Sequence, residues 1–149
     1  MLQQVFGSVY TKFKLHFYMK VFEKWHDREA SLTTVETFCM EIIYALDNPT
    51  VATFAAVANI SSPNAAYKIN NLVKKGYLEK VQYKEDKREY RLQVTEKYMN
   101  YYNISYNYIN VVMKRIEERF SEDEIKTLEK VLTIMDEELM PEIDWKVRM

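Results

Sequence analysis

Apolar side chains recur at intervals of three and four residues over much of the chain, which is the spacing that places them on one face of an α-helix. Residues 2–26 show this pattern without a break, and a second run ends near Leu46. Thr33-Thr34-Val35-Glu36 matches a capping box that opens the second run. Asp47-Asn48-Pro49 closes it, because a residue before proline is disfavoured in the helical region. The pattern therefore predicts two amphipathic helices before Pro49, and the apolar stripe of the first could face either the protein's own core or a second subunit.

The stretch from Pro49 to Thr95 is organised differently. Two short helical patterns, Val51–Asn59 and Ser62–Lys75, precede a glycine stop at Gly76. Ser62-Pro63 supplies an N-cap and a first-turn proline for the second of them. Two strand patterns follow, Tyr77–Tyr83 and Glu89–Val94, joined by a charged tip at residues 84–88. A helix-turn-helix followed by a β-ribbon is typical of proteins that read DNA.

Two further helices complete the predicted fold, one running to Phe120 and one opened by a second capping box at Ser121-Glu122-Asp123-Glu124. We expect a mainly α fold of the α+β class: a winged helix-turn-helix with a two-stranded β-wing, flanked by long N- and C-terminal helices. With 149 residues, 48% of them hydrophobic, the chain can bury the core of one domain.

Composition narrows the class of protein. Aromatic residues make up 14% of the chain and hydrophobic residues 48%, which argues against disorder. One cysteine excludes an internal disulfide and suits a reducing cytosol. No apolar run approaches the roughly 18 residues of a membrane span, and the N-terminus lacks the apolar core of a signal peptide. We therefore expect a cytoplasmic protein without membrane contact.

The charges are unevenly distributed. The chain carries a net charge of −1, but residues 61–91 contain eight cations and four anions, a net charge of +4. Residues 115–144 contain four cations and eleven anions, a net charge of −7. A basic middle and an acidic end would orient one face of the molecule towards DNA.

The outer face of the predicted helix Ser62–Lys75 has the chemistry of a helix that enters a major groove. Short polar side chains at its N-terminal end can read base edges, and lysines further along can meet phosphates. At the wing tip the cations could reach phosphates or the minor groove, with Asp86 holding Arg88 by a charge-assisted hydrogen bond. The candidate DNA-binding residues are Ser61, Ser62, Pro63, Asn64, Tyr67, Lys68, Asn71, Lys74, Lys84, Asp86, Lys87 and Arg88.

Two motifs in this region carry a family resemblance. Asp86-Lys87-Arg88-Glu89-Tyr90-Arg91-Leu92-Gln93-Val94-Thr95 resembles the Asp-x-Arg…Leu-x-Leu-Thr wing signature of the MarR family of bacterial winged-helix transcriptional regulators, with Val94 where Leu is common. Leu72-Val73-Lys74-Lys75-Gly76-Tyr77-Leu78 resembles the family's passage from recognition helix to wing. The order of the elements extends the resemblance over nearly the whole chain.

The resemblance implies a single MarR-like domain at residues 1–149. Residues 33–95 would form the DNA-binding lobe, and residues 1–28 and 96–149 would form a helical region that builds a two-fold homodimer. It further implies a ligand-responsive repressor of a pseudo-palindromic operator. An apolar or aromatic effector would bind near Phe38, Tyr98, Tyr102 and Tyr106, although tyrosines in such a cluster are more often part of a core.

Other functions find less support in the sequence. We expect no enzyme, cofactor or metal, because two histidines and no glycine-rich phosphate loop offer little catalytic chemistry. Three alternatives stay open: a winged helix that contacts only other proteins, a metal sensor using His26 and Glu23, and a redox sensor using Cys39.

Overall fold

The computed structural model describes residues 1–24, 32–82, 85 and 88–143. In these ranges the chain is mainly helical and carries one two-stranded antiparallel sheet, as the sequence predicts. The elements are α1 (Leu2–Lys24), α2 (Thr34–Leu46), α3 (Val51–Ala58), α4 (Ser62–Lys74), β1 (Leu78–Gln82), β2 (Tyr90–Val94), α5 (Glu96–Arg119), α6 (Glu122–Glu138) and a 3₁₀ turn at Pro141–Ile143. The predicted last residues of α1 and Tyr83 of the first strand lie outside the described residues.

The described chain divides into two compact units. Residues 32–101 form the winged unit, and residues 1–24 and 102–143 form the helical unit. Residues 96–101 of α5 thus belong to the winged unit and the rest of that helix to the helical unit.

The predicted capping boxes are both present. Thr33 caps α2: its hydroxyl accepts from the Glu36 amide at 3.2 Å, and the Thr33 amide donates to the Glu36 carboxylate at 2.9 Å. Ser121 and Glu124 repeat this exchange at the start of α6. In both boxes side chains satisfy amides that the first helical turn leaves without backbone partners.

The cap of α4 differs from the prediction by one residue. Ser61, not Ser62, is the N-cap, and its hydroxyl accepts from the Asn64 amide at 3.3 Å. Ser62 is the first helical residue and Pro63 the second, where its missing N–H costs nothing because first-turn amides have no backbone acceptor.

Gly76 ends α4 as predicted. It has a φ of +85°, a conformation that glycine adopts without a steric penalty. The Gly76 amide donates to the Val73 carbonyl and the Tyr77 amide to the Leu72 carbonyl, both at 3.0 Å, which is the Schellman pattern. Because the Tyr77 amide is used in this cap, β1 begins at Leu78 rather than at the predicted Tyr77.

The two strands of the wing pair with Leu78 opposite Val94 and Gln82 opposite Tyr90. The sheet also joins the helix-turn-helix, because the Leu92 amide donates to the Pro49 carbonyl at 2.9 Å and Thr50 forms an isolated bridge with Arg91. The start of α3 is therefore tied to the wing by backbone hydrogen bonds.

The core of the winged unit lies between its helices and the inner ends of the strands. Its largest fully buried side chains come from every element of the unit: Met40, Ile43, Leu46, Phe54, Ile69, Leu72, Tyr77, Leu78, Leu92 and Tyr101. The Tyr101 hydroxyl accepts from the Leu32 amide at 3.1 Å and from the Tyr77 hydroxyl at 3.4 Å, so the polar atoms of this core are paired across long sequence distances. Burial and this hydrogen bond raise the pKa of Tyr77, which stays a neutral donor.

The helical unit packs α1 against α5 through rings. Tyr108 stacks on His16 with centroids 3.7 Å apart, and Phe13 meets the edge of Tyr108 at 5.5 Å. No residue of α1 or α6 whose burial is described is buried. No helix in the described ranges has the length and apolar character needed to span a membrane.

Candidate nucleic-acid interface

Helix α4 has one buried and one exposed face. Ala65, Ile69 and Leu72 are buried in the core of the winged unit. The opposite face carries exposed side chains at Ser61, Ser62, Pro63, Asn64, Tyr67, Asn70 and Lys74, while Lys68 and Asn71 are half-buried at its flanks. All eight candidates on this segment thus lie on or beside one surface, and Tyr67 at 67% exposure projects most of its ring into solvent.

The N-terminal end of α4 suits an anion. Its first turn contains no acidic residue, so no carboxylate offsets the partial positive charge at the helix N-terminus. A serine caps this end and short polar residues surround it, which leaves room for a backbone phosphate to approach.

Contacts from two neighbouring helices hold the C-terminal end of α4. The ammonium group of Lys75 forms an ion pair with Glu36 of α2 at 2.7 Å. From the start of α5, Lys97 donates to the Lys75 carbonyl and the Thr95 hydroxyl donates to the Gly76 carbonyl, each at 2.6 Å. The exposed face of α4 is therefore fixed relative to both α2 and the start of α5.

Glu36 forms the ion pair that links α2 to the C-terminal end of α4. Partial burial opposes its ionisation, but hydrogen bonds from Lys75, from the Thr33 amide and from the Thr33 hydroxyl outweigh burial and lower the pKa of Glu36. The carboxylate therefore stays charged at neutral pH.

The wing presents part of the predicted tip. Arg88 is exposed, whereas Lys84, Asp86 and Lys87 lie outside the described residues, so the expected Asp86–Arg88 pair is not described. On β1, Lys80 donates to the Asn70 side-chain oxygen at 2.9 Å and so connects the wing to the exposed face of α4.

Arg91 braces the turn between α2 and α3. Asp47 and Asn48 both have left-handed backbone angles, with φ of 53° and 55°. The Arg91 guanidinium donates to the Asn48 carbonyl at 3.4 Å and lies 3.4 Å from the Glu89 carboxylate. This contact is a second link between the wing and the helix-turn-helix.

The four residues of the predicted effector pocket have different surroundings. Tyr98 is buried near Tyr44, with ring centroids 6.0 Å apart, and Phe38 on α2 is exposed. Tyr102 and Tyr106 belong to the helical unit and stack on each other at 5.8 Å. A ligand site among these residues stays a prediction.

The helical unit has an open groove that the sequence analysis did not predict. It has a volume of about 490 Å³ and lies between α5 and α6. Its lining combines apolar side chains with three carboxylates: Met113, Ile116, Glu117, Ile125, Leu128, Glu129, Leu132, Thr133 and Asp136.

The residues of the metal and redox alternatives offer little chemistry. His26 lies outside the described residues, and Glu23 pairs with Lys20 at 3.2 Å on the surface of α1. Within the described residues no group of three His, Cys, Asp or Glu side chains is placed to hold a metal ion. Cys39 is buried, and burial raises the pKa of its thiol, so the reactive thiolate is disfavoured.

Sequence reasoning missed the residues that position α4. Glu36, Lys80, Asn70 and Lys97 were absent from the candidate site, since their partners are distant in sequence. Two partial signals were present in the sequence: the capping box that contains Glu36, and the +4 charge of residues 61–91, which includes Lys80.

Comparisons with known proteins agree with this geometry. The sequence model of the MarR family matches residues 32–90, the part of the chain that contains α2–α4 and most of the wing. No curated protein sequence matches the chain.

Three solved structures illustrate the similarity of fold. Streptococcus pneumoniae FabT in complex with DNA has a TM-score of 0.60 at 20% identity, over 93% of this chain and 97% of that one. A mutant of S. aureus MepR bound to an oligodeoxyribonucleotide has a TM-score of 0.56 at 16% identity, over 94% and 99%. The transcriptional regulator Tm0710 from Thermotoga maritima has a TM-score of 0.65 at 15% identity, over 91% and 94%.

MarR-family members are transcriptional regulators rather than enzymes. The match runs from residue 32 through α2–α4 and β1 to the first residue of β2, and the solved structures share the architecture over more than nine-tenths of the chain. The resemblance suggested by the wing motif is therefore confirmed by the match of residues 32–90 to the MarR family.

Proposed function

We propose that the protein is a sequence-specific DNA-binding transcriptional regulator that places α4 in a major groove. The observation that carries this proposal is the exposed face of α4, where polar side chains, a tyrosine and a lysine lie opposite a fully apolar buried face. A face that only needed solubility would not require several asparagines, which are poor helix formers. The DNA bound to FabT and to the MepR mutant adds support from proteins of the same fold.

The proposed regulator acts as a homodimer. Apolar side chains on α1 and α6, among them Phe6, Val9, Val131 and Leu132, are exposed in the single chain. Burying them against a second copy would remove apolar surface from water. Two-fold symmetry would then place two α4 helices in major grooves about one helical turn apart on a pseudo-palindromic operator.

The wing of each subunit would lie along the flanking minor groove. Exposed Arg88 is the described residue best suited to this groove, since its narrow form attracts guanidinium groups. Lys84, Asp86 and Lys87 complete the proposed tip.

We also propose that the regulator is a repressor released by a small apolar or aromatic ligand. Such a ligand acts only if it binds the DNA-free state more tightly than the DNA-bound state. The support is the aromatic content of α2 and α5, where Phe38, Tyr98, Tyr102 and Tyr106 lie. The repressor role is measured by in vitro transcription from an operator obtained by selecting bound sequences from random DNA. Transcription must fall when the protein is added if the protein is a repressor.

Selection of bound sequences from a random pool of double-stranded DNA tests the central proposal. We expect an inverted repeat with half-sites separated by about one turn of DNA. Affinity for the selected site should fall steeply with salt, because phosphate contacts release counterions. A flat dependence on salt and no enriched sequence would instead support a winged helix that contacts only other proteins.

A further inference from the structure

Asn70 occupies the middle of the exposed face of α4. It lies three residues after Tyr67 and four before Lys74, a spacing that puts the three side chains in one row on the helix surface. All three are exposed. Its side-chain oxygen accepts a hydrogen bond from the Lys80 ammonium at 2.9 Å. Lys80 is on β1, ten residues later in the chain.

The chemistry of the partner decides which way the Asn70 amide points. A lysine ammonium has three donors and no acceptor, whereas an asparagine amide carries an acceptor oxygen on one side and two donors on the other. Only the oxygen can bind Lys80, so the NH₂ group is turned away from the wing. An asparagine without such a partner could turn either its oxygen or its NH₂ group towards a ligand. Asn70, whose oxygen is held by Lys80, offers its NH₂ donors.

A donor on this face matches a defined set of base atoms. In the major groove, N7 of purines, O6 of guanine and O4 of thymine accept hydrogen bonds, whereas the amino groups of cytosine and adenine donate them. We propose that Asn70 is a specificity-determining residue whose amide donates to a base acceptor in each half-site, and that Lys80 is the residue that orients it. This inference rests on the proposed binding of DNA through α4.

The first experiment replaces the donors without moving the side chain. Asn70→Asp keeps the shape and the contact with Lys80 but offers only acceptors. We expect preference at one position of each half-site to shift away from acceptor-presenting bases by on the order of tenfold, measured as a ratio of affinities between operators. Because repulsion between the new charge and phosphates is common to all sequences, it cancels in this ratio. The control is Asn110→Asp, at an exposed position on α5, which should leave the ratio unchanged.

The second experiment tests the orienting role of Lys80. Lys80→Met removes the donor that holds the amide oxygen, so preference at the same position should broaden, since either side of the amide can then face the base. Lys80→Arg restores a donor-only partner and should restore the preference. If Lys80 were simply a phosphate contact, Lys80→Met would reduce the slope of log affinity against log salt by about one and leave the base ratio unchanged.

The outcomes separate this inference from the function on which it rests. If the wild-type protein enriches no sequence, the proposed function fails. If the wild type enriches an operator but Asn70→Asp leaves every base ratio unchanged, or Lys80→Met alters only the salt slope, the assignment of Asn70 and Lys80 is wrong while DNA binding stands. Circular dichroism and unfolding curves of each variant show that the fold is retained, as expected for exposed side chains.

Discussion

The winged unit and the helical unit differ in where their apolar side chains lie. Every buried apolar residue among those described is in the winged unit, from Leu32 to Tyr101. In the helical unit, α1 and α6 carry apolar side chains that are exposed to solvent, such as Phe6 at 47% and Val131 at 55%. The winged unit thus has a buried core within one chain, whereas the helical unit leaves apolar side chains that another surface could cover.

The electrostatics of the two units differ in the same sense. The winged unit holds the basic segment, and α6 of the helical unit begins with three acidic residues. Acidic residues in the first turn suit a helix N-terminus but repel a polyanion. Within the described residues, only the winged unit combines a buried core with the basic segment of the chain.

The largest effect that would test this contrast is in the core. Phe54 of α3 is 0% exposed, so Phe54→Ala should destabilise the protein by about 3–5 kcal/mol through lost burial and a new cavity. Phe6→Ala, the matched change on α1, should cost less than about 1 kcal/mol in a monomer. Urea unfolding at several protein concentrations measures both.

The concentration series separates the two variants further. The loss caused by Phe54→Ala should be the same at all concentrations, while that caused by Phe6→Ala should grow where the wild type is dimeric. If both variants lost the same free energy of unfolding at every protein concentration, Phe6 and Phe54 would be equally buried in the single chain. The proposed difference between the two units would then be wrong.

Association of the helical unit gives the next effect. Val131→Asp would place a charge in the proposed subunit interface, and we expect it to weaken dimerisation by at least about 2 kcal/mol. Thr133→Asp adds the same charge to an exposed polar position two residues from Val131, on the other side of α6, and serves as the control. Sedimentation equilibrium should show monomers for the first variant and wild-type association for the second. Undiminished dimers of Val131→Asp would place the interface elsewhere.

Removing one cation from each unit tests the electrostatic difference between them. Arg88→Ala should weaken binding to many DNA sequences by about 1.5–3 kcal/mol, the range for hydrogen bonds to charged groups. Lys130→Ala removes an exposed cation from α6 and should have little effect on DNA affinity. Fluorescence anisotropy at two salt concentrations measures both changes. Equal losses for the two variants would show that the helical unit contacts DNA as well.

Local signals accounted for most of the fold that could be predicted. The capping boxes at Thr33 and Ser121 and the glycine at position 76 act over three to five residues, so a sequence pattern contains all of their physics. The N-cap of α4 was displaced because Ser61 and Ser62 are chemically equivalent. Which of the two serines caps the helix depends on where the chain leaves the turn at Asn59, which has a left-handed φ of 56°.

The contacts that position the candidate site could not be predicted in the same way. Lys75 meets Glu36 across 39 residues and Leu32 meets Tyr101 across 69, and no periodicity reports on such pairs. Polarity patterns identified the exposed face of α4 because that face depends only on helix geometry. The orientation of that face, and the contact of its Asn70 with Lys80, depend on where β1 lies relative to α4. That placement is a property of the folded chain.

The smallest effect compares one motif that occurs in both units. Glu36 and Glu124 each complete a capping box, and each has a lowered pKa: hydrogen bonds outweigh burial at Glu36, and the Ser121 amide and hydroxyl act on Glu124. Glutamine can replace glutamate in this motif, so a Glu→Gln change keeps the cap and removes the charge. Of the two, Glu36 also forms an ion pair with a lysine, at 2.7 Å and partly buried. Glu36→Gln should therefore cost about 1 kcal/mol at neutral pH, the upper end of the range for exposed ion pairs. We expect Glu124→Gln to cost less.

The pH dependence of Glu36→Gln follows from the direction of the pKa shift. A carboxylate with a lowered pKa in the folded state stabilises the protein above its unfolded pKa, and that contribution disappears as pH falls through the folded pKa. The difference between wild type and Glu36→Gln should therefore be full at pH 7 and shrink below the ordinary glutamate value of 4.5. Urea unfolding between pH 7 and pH 3 measures it. A difference that is constant over this range would mean that the Lys75 ion pair does not hold α4 to α2, and that the winged unit relies on apolar burial alone.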